Sequence, residues 1–333
     1  MDTAAPLEPS PTIADIEAAA RRLAGKAVRT PLLESPLLND RLGRRLLVKA
    51  EPLQWTGSFK FRGAYAKMSL IPADRRPAGV VAYSSGNHAQ GVAAAARLLG
   101  MPATIVMPKD APAIKQRNTE AWGARIVPYD RYGEDREAIG AALTRESGAT
   151  LVPPYDDVEI IAGQGTIGLE MAEQLAEADV EPSAILVCCG GGGLVAGTSL
   201  ALSVRLPGVP VYAVEPEGFD DTARSLASGE RLGNRPEARS ICDALLSPMP
   251  GAITLPINRR TLSGGLAVSD DEVRRAMAVA FETLKLVVEP GGAVALAAAL
   301  SGKAPAGDGP LAVVCSGGNV DSGQFAEILR NYS

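Results

Sequence analysis

Residues 57–63 read GSFKFRG, which sets Lys60 between two of the chain's five phenylalanines. A lysine so placed has two readings. Its stem packs on the rings while the ammonium reaches water, or its amine sits where burial disfavours charge and serves as a nucleophile or base. Ser58 stands where an N-cap would, which puts Lys60 in the first turn of a helix. The helix dipole there disfavours an ammonium by about 0.3–1 kcal/mol. Phe59 adds desolvation and a flat apolar face, and Phe61 is expected in the core.

Four other stretches carry chemistry. In CCGGGGLVAG (188–197), Gly190 to Gly193 separate an apolar run from a helix. Chain reversal needs one or two glycines. A run of four lets successive N–H groups converge on a phosphate with the helix dipole behind them, the plainer alternative being a tight turn. The lysine of a nucleotide triphosphatase loop is missing. SSGNHAQG (84–91) gathers the hydroxyls of Ser84 and Ser85, the Asn87 amide and a helix start, a set that suits a carboxylate. His88, the sole histidine, is either part of that set or a packing residue. It rules out a His-rich metal centre and leaves a Ser-His-Asp triad only one place to form. SGGNVD (316–321) offers the Ser316 hydroxyl just after a strand, at the edge where open α/β sheets bind ligands. EPEGFDD (215–221) is either a solvated acidic loop or, through Glu215, Asp221 and intervening carbonyls, a set of hard oxygen ligands for Mg²⁺ or Ca²⁺. GQGTIG (163–168) matches a dinucleotide fingerprint, but the next strand, AILVCC, ends in the glycine run instead of an acid, which argues against NAD.

Strands and helices must alternate to position these stretches. GVVAYSS (79–85), ATIVMP (103–108) and ARIVPY (124–129) read as strands, each followed by a helical segment. Residues 79–155 are therefore compact enough to form a small domain. A second alternation follows: AILVCC (184–189), VPVYAVEP (209–216) and PLAVVCSGG (310–318) as strands, with a helix from Ser269, where Ser269 and Glu272 have capping-box spacing. Residues 1–78 and 156–333 make up the larger domain.

Composition bounds the rest. A length of 333 residues allows two domains. A net charge of −5 with no basic cluster argues against nucleic acid, and no apolar run reaches the length of a membrane span. The four cysteines form no C-x-x-C pair, which predicts neither zinc nor a disulfide framework and suits a reducing, cytoplasmic setting. Met1 to Pro11 reads as a loose tail, not a signal peptide.

Taken together, TGSFKFRGA, SSGNHAQG, IAGQGTIGLE, GGGG, EPGGAVALAA and CSGGNVD, in that order over roughly residues 28–325, resemble the fold-type II pyridoxal-phosphate enzymes of the threonine/serine dehydratase and serine racemase family. The resemblance implies a tryptophan synthase β-like fold, with two open twisted α/β domains, 1–78 with 156–333 the large cofactor-binding one and 79–155 the small mobile substrate-binding one, and pyridoxal 5'-phosphate in the cleft between them. It implies that Lys60 carries the cofactor as a Schiff base, Phe59 lies against the ring and Asn87 bonds the phenolic oxygen. Gly190, Gly191, Gly192, Gly193 and the Leu194 N–H would hold the phosphate, and Ser316 would face the ring nitrogen. A hydroxyl there does not enforce a pyridinium as an aspartate would.

The activity implied is β-elimination from L-threonine, L-serine or 3-hydroxyaspartate to a 2-keto acid and ammonia. Lys60 would take the α-proton, with the substrate carboxylate on Ser84, Asn87 and His88. Ser85 matches the serine of the opposite cofactor face in serine racemases, which makes racemisation an alternative. A phosphate- or nucleotide-binding sensor is the non-enzymatic one. Arg136 and Ser247 match positions that contact a second carboxylate, although Arg136 reads equally as a solvated arginine at a helix start. Glu215, the Phe219 carbonyl and Asp221 match a divalent-cation loop (Mg²⁺, Mn²⁺ or Ca²⁺). The family expectation is a homodimer. ICDALL departs from the family's alanine-aspartate-glycine run. Trp55 and Tyr155 replace polar residues that bind ATP in animal serine racemases, so no ATP activation is expected. The chain also leaves no room after SGGNVD for a regulatory domain, so no isoleucine feedback is expected.

Overall fold

The computed structural model of the chain describes residues 10–131 and 133–332; most of the tail read in Met1 to Pro11 lies outside them. Among the described residues ten strands form two sheets: β1 (Leu32–Glu34), β2 (Leu46–Ala50), β3 (Val80–Tyr83), β4 (Ala103–Pro108), β5 (Arg125–Tyr129), β6 (Thr150–Leu151), β7 (Ala184–Cys188), β8 (Val211–Pro216), β9 (Gly264–Val268) and β10 (Leu311–Cys315). One sheet has the order β1-β2-β10-β7-β8-β9, and the other β5-β4-β3-β6. Every pairing is parallel except β1 with β2. Parallel strands need crossovers, and both faces must then be covered, so the central strands read as unbroken apolar runs. β7 (AILVC) and β10 (LAVVC) are buried at every residue.

All six strands expected from sequence are present, within a few residues of the expected bounds. β1, β2, β6 and β9 were not expected. β6 is two residues long, β1 is three, and β9 (GGLAV) begins with two glycines, so none carries a strand signal of its own.

The helices explain the glycines outside the site. Val158–Glu177 is one helix, capped by the Asp157 carboxylate on the N–H groups of Glu159 and Ile160. GQGTIG therefore lies inside a helix, with no turn at which a dinucleotide would bind. Its glycines allow close helix crossings: a Cβ on Gly163 would stand 2.6 Å from the Gly63 Cα, and one on Gly168 2.6 Å from the Thr198 carbonyl oxygen. The Lys60–Met68 and Gly193–Arg205 helices pack against this central helix. Asn87–Leu99 is buried from Asn87 to Ala96 and ends at Gly100 in the left-handed conformation (φ 68°). The Ser269 capping box forms as expected.

Behind Lys60, four charges close on one another. Arg62, fully buried, donates to both oxygens of Glu51 (2.8 and 2.9 Å) and of Glu170 (2.6 and 2.9 Å). Lys49 adds a bond of 2.6 Å to Glu170. Two cations and two carboxylates leave no net charge, the condition for tolerating such burial. The Lys60 helix is thereby fixed to β2 and to the central helix.

Candidate active site

The carboxyl ends of β3, β7 and β10 open into one cleft of about 1060 Å³, the open solvent at its mouth included. Phe59, Lys60, Ser84, Ser85, Asn87, His88, Arg136, Gly190 to Gly193, Leu194, Ser247 and Ser316 all line it. Residues up to 257 positions apart in sequence (Phe59 and Ser316) are thus brought to one place. Glu215, Phe219 and Asp221 are not among its lining residues.

Lys60 is the first residue of its helix. Ser58 is not the cap: its backbone is extended and bridges Gly317, while Phe59, already helical at φ −55° and ψ −20°, takes the N-cap position. The residues that follow β10 explain the displacement, since the Phe59 N–H donates to the Ser316 carbonyl at 3.1 Å. Lys60 Nζ donates to the Pro154 carbonyl at 2.7 Å and lies 5.1 Å from the centre of the Phe59 ring. No carboxylate is bonded to it among the described residues, and burial lowers its pKa from 10.5 to about 8. At pH 7 about one Lys60 in ten is then neutral, against about one in 3000 for an ordinary lysine. Phe61 turns the other way, stacked on Trp55 at 5.7 Å.

The glycine loop links β7 to the Gly193–Arg205 helix, with Gly192 as its N-cap at φ 93°. From Gly190 to Val195 no N–H meets a backbone acceptor among the described residues; the first to do so is Ala196, on Gly192. A helix start without a side-chain cap leaves donors that an anion satisfies. Side chains are excluded from the loop by its walls: a Cβ on Gly191 would lie 2.4 Å from the Tyr155 ring, and one on Gly192 2.7 Å from Thr254 Oγ1. This cradle, together with a partly neutral lysine on the same cleft, fits pyridoxal phosphate. Ser316 lies on the cleft, 5% exposed.

The Asn87–Leu99 helix also begins without a side-chain cap, Ser84 Oγ accepting only from the Gly86 N–H at 3.0 Å. The His88 ring is held from the opposite side. Its Nε2 faces the Val152 carbonyl at 2.9 Å, which makes it the protonated nitrogen, and Nδ1 has no partner. Burial, followed by the Lys60 charge, lowers its pKa to about 3. A neutral ring with an acceptor nitrogen repels a carboxylate, so what His88 offers an anion is its backbone N–H. Arg136 begins the Arg136–Ser147 helix, half-buried, its guanidinium 5.3 Å from the Tyr83 ring centre. Ser247 lines the same cleft, and its hydroxyl meets Tyr155.

Glu215 and Asp221 are buried together away from the cleft. The Glu215 oxygens accept from the N–H groups of Thr222 (3.1 Å) and Ala223 (2.8 Å); Asp221 Oδ1 accepts from Asn234, and its Oδ2 has no partner among the described residues. Burial raises Glu215 to about 8 and Asp221 to about 6. No cluster of three or more His, Cys, Asp or Glu able to hold a metal occurs among the described residues.

Sequence reasoning missed Lys115, Asp243, Tyr83 and Gln164, which also line the cleft. Lys115 stands in a stretch with no motif around it, whereas Tyr83 adjoins SSGNHAQG, Gln164 lies in GQGTIG and Asp243 in ICDALL, whose letters do not tell which side chains reach the cleft.

Comparison with known proteins gives the same setting. The family model described as pyridoxal-phosphate dependent enzyme matches residues 24–317. An L-threo-3-hydroxyaspartate ammonia-lyase of a Pseudomonas species is 44% identical over 316 residues, covering 95% of this chain and 98% of the relative. A second such ammonia-lyase, from Saccharomyces cerevisiae, is 42% identical over 320 residues, 96% of each chain. Among solved structures, maize serine racemase superposes with a TM-score of 0.90 at 36% identity, covering 97% of this chain and 98% of that one. No helix among the described residues is long and apolar enough to cross a membrane.

Proposed function

Because the chain belongs to the pyridoxal-phosphate dependent enzyme family, we propose that it is an ammonia-lyase that eliminates the β-hydroxyl of a 3-hydroxy amino acid, with 3-hydroxyaspartate the preferred substrate over serine and threonine. The observation that carries the substrate is Arg136, a cation on the cleft wall, on the same cleft as Ser247 and the uncapped start of the Asn87–Leu99 helix. One carboxylate fits the helix start and a second fits the guanidinium, whose fork is matched to carboxylate geometry. The L-threo-3-hydroxyaspartate activity of two relatives with 42% and 44% identity supports this reading.

Gly190 to Gly193 and the Leu194 N–H would hold the cofactor phosphate, Lys60 its aldehyde carbon, Phe59 one face, Asn87 its phenolic oxygen and Ser316 its ring nitrogen. When bound, the cofactor supplies the electron sink that acidifies the substrate α-carbon. The chain's own part is proton handling and orientation. Lys60 Nζ, lowered to about 8, takes a proton near neutral pH and returns it, as a general base should. The backbone N–H groups at Asn87 and His88 hold the α-carboxylate without competition from a charged imidazole. Ser85 lines the same cleft, and its hydroxyl is the second proton donor that racemisation would need. The likeness to maize serine racemase keeps an amino-acid racemase as the second reading.

Residues 79–155, which hold the four-stranded sheet, are proposed as the mobile domain and 1–78 with 156–333 as the larger one. A divalent cation on Glu215, Asp221 and the Phe219 carbonyl belongs to the same proposal, supported by the unpartnered, buried Asp221 Oδ2. Added Mg²⁺ or Ca²⁺ should then raise the thermal midpoint of the wild type and not of Asp221→Asn. A homodimer in the cytoplasm completes the reading.

The deciding experiment compares keto-acid release from threonine, serine and both diastereomers of 3-hydroxyaspartate, repeated with Arg136→Ala. Loss of one charge-assisted contact, about 1.5–3 kcal/mol, should lower kcat/KM for the dicarboxylate about 10- to 150-fold and leave serine nearly unchanged. An equal fall on all substrates, or no change, refutes the second-carboxylate assignment.

A further inference from the structure

Lys115 belongs to none of the stretches singled out in the sequence, yet it is 2% exposed. It lies in the Ala113–Ala121 helix, which follows β4 of the four-stranded sheet. Its ammonium crosses to two carboxylates contributed by the other unit: Asp243 Oδ2 at 2.7 Å and Glu289 Oε2 at 3.0 Å. Glu289 is itself buried, at the N-cap of the Pro290–Leu300 helix. Its second oxygen accepts from Asn87 Nδ2, and Asn319 Nδ2 donates to Asn87 Oδ1 at 2.9 Å. The Lys115 stem crosses Gly86, where a Cβ would stand 2.3 Å from its Cδ.

These contacts form a chain of consequence. Burial alone would strip Lys115 of its proton; Glu289 and Asp243 keep it charged. In return the ammonium is the only cation bonded to the Glu289 carboxylate among the described residues, and that carboxylate orients the Asn87 amide. Asp243 begins the wall that runs to Ser247 on the cleft. One side chain therefore grips the deep and the outer parts of the opposite unit together.

We propose that Lys115 is a positioning residue for this site: by bridging Asp243 and Glu289 it latches the two units across the cleft and aims Asn87 at the bound ligands. The proposal rests on the site reading given above. Its consequence is that ligand affinity, more than proton transfer, depends on Lys115, because its ammonium is taken up by Asp243 and Glu289.

The test uses the cofactor-loaded protein and three variants, Lys115→Met, Glu289→Gln and the double variant. Amide hydrogen exchange is followed at 113–121 and at 243–247, and KM and kcat are measured on whichever amino acid the wild type consumes. Lys115→Met should speed exchange in both segments at once and raise KM about tenfold, the loss expected for one charge-assisted bond, with kcat within about threefold. Adding Glu289→Gln should recover part of KM, because an uncompensated carboxylate no longer lies beside Asn87, and should leave exchange at 243–247 fast. Faster exchange at 113–121 alone, an unchanged KM, or a double variant no better than Lys115→Met would overturn the proposal. Should Lys115→Met not fold, Asp243→Asn takes its place, and the latch then requires faster exchange at 113–121, on the far side of the cleft. If the wild type consumed none of the amino acids, the functional reading would fail while the exchange result still decided the role of Lys115.

Discussion

Removing the Lys60 amine from the cofactor-free protein should make the protein more stable at neutral pH. The drop in pKa from 10.5 to about 8 means that the folded state holds the ammonium at a cost of about 3 kcal/mol. Lys60→Met removes that cost and also removes the bond to the Pro154 carbonyl, which contributes about 1 kcal/mol. The variant should therefore gain about 2 kcal/mol at pH 7. The sign of the pH dependence follows from the depressed folded-state value. Below about 8 both folded and unfolded wild type carry the proton, and the full cost is present. Between about 8 and 10.5 the unfolded chain binds more protons than the folded one, so wild-type stability climbs with pH and the advantage of Lys60→Met shrinks. Urea unfolding of both cofactor-free proteins at pH 7, 8, 9 and 10 measures the difference and cancels the titration of other groups. A difference independent of pH, or a Lys60→Met protein less stable at pH 7, would refute the claim that burial holds this amine near neutrality.

Three further perturbations probe the surrounding parts. Gly191→Ala would place a methyl 2.4 Å from the Tyr155 ring, an overpacking of about 1–3 kcal/mol, and equilibrium dialysis should show weakened cofactor retention. Arg62→Met leaves Glu51 and part of Glu170 unpaired in the interior; thermal unfolding should register a loss of about 3–5 kcal/mol. Ser85→Ala should abolish any conversion of L- to D-serine, read by chiral chromatography, and leave keto-acid release within a few-fold of wild type.

Much of the site was legible because its parts are local. Four glycines after an apolar run, or a Gly-Asn pair opening a helix, announce their backbone geometry within ten residues. Lys60 was legible only beside them, since a lysine between two phenylalanines describes a snorkelling side chain equally well. The Ser58 N-cap failed because Ser316 and Gly317, just after β10, bond to that segment from more than 250 residues away, and no local rule contains that pairing. The same holds for β2, whose strand character comes from being covered on both faces, and for Lys115, Asp243 and Glu289, three separate charges in sequence and one cluster in space. His88 was legible as part of the right segment, while the direction of its ring depended on Val152, 64 residues further on. GQGTIG shows the converse case: a pattern with the right letters, rejected for want of an acid after the next strand, lies in the middle of a helix.

The central claim is that Lys60 carries the cofactor for an elimination at this cleft. Borohydride reduction of the protein loaded with pyridoxal 5'-phosphate, followed by peptide mass mapping, tests it most directly. The account predicts a single cofactor adduct on the peptide containing Lys60 and loss of keto-acid release after reduction. An adduct on another lysine with Lys60 unmodified, or undiminished activity once Lys60 is modified, would contradict it.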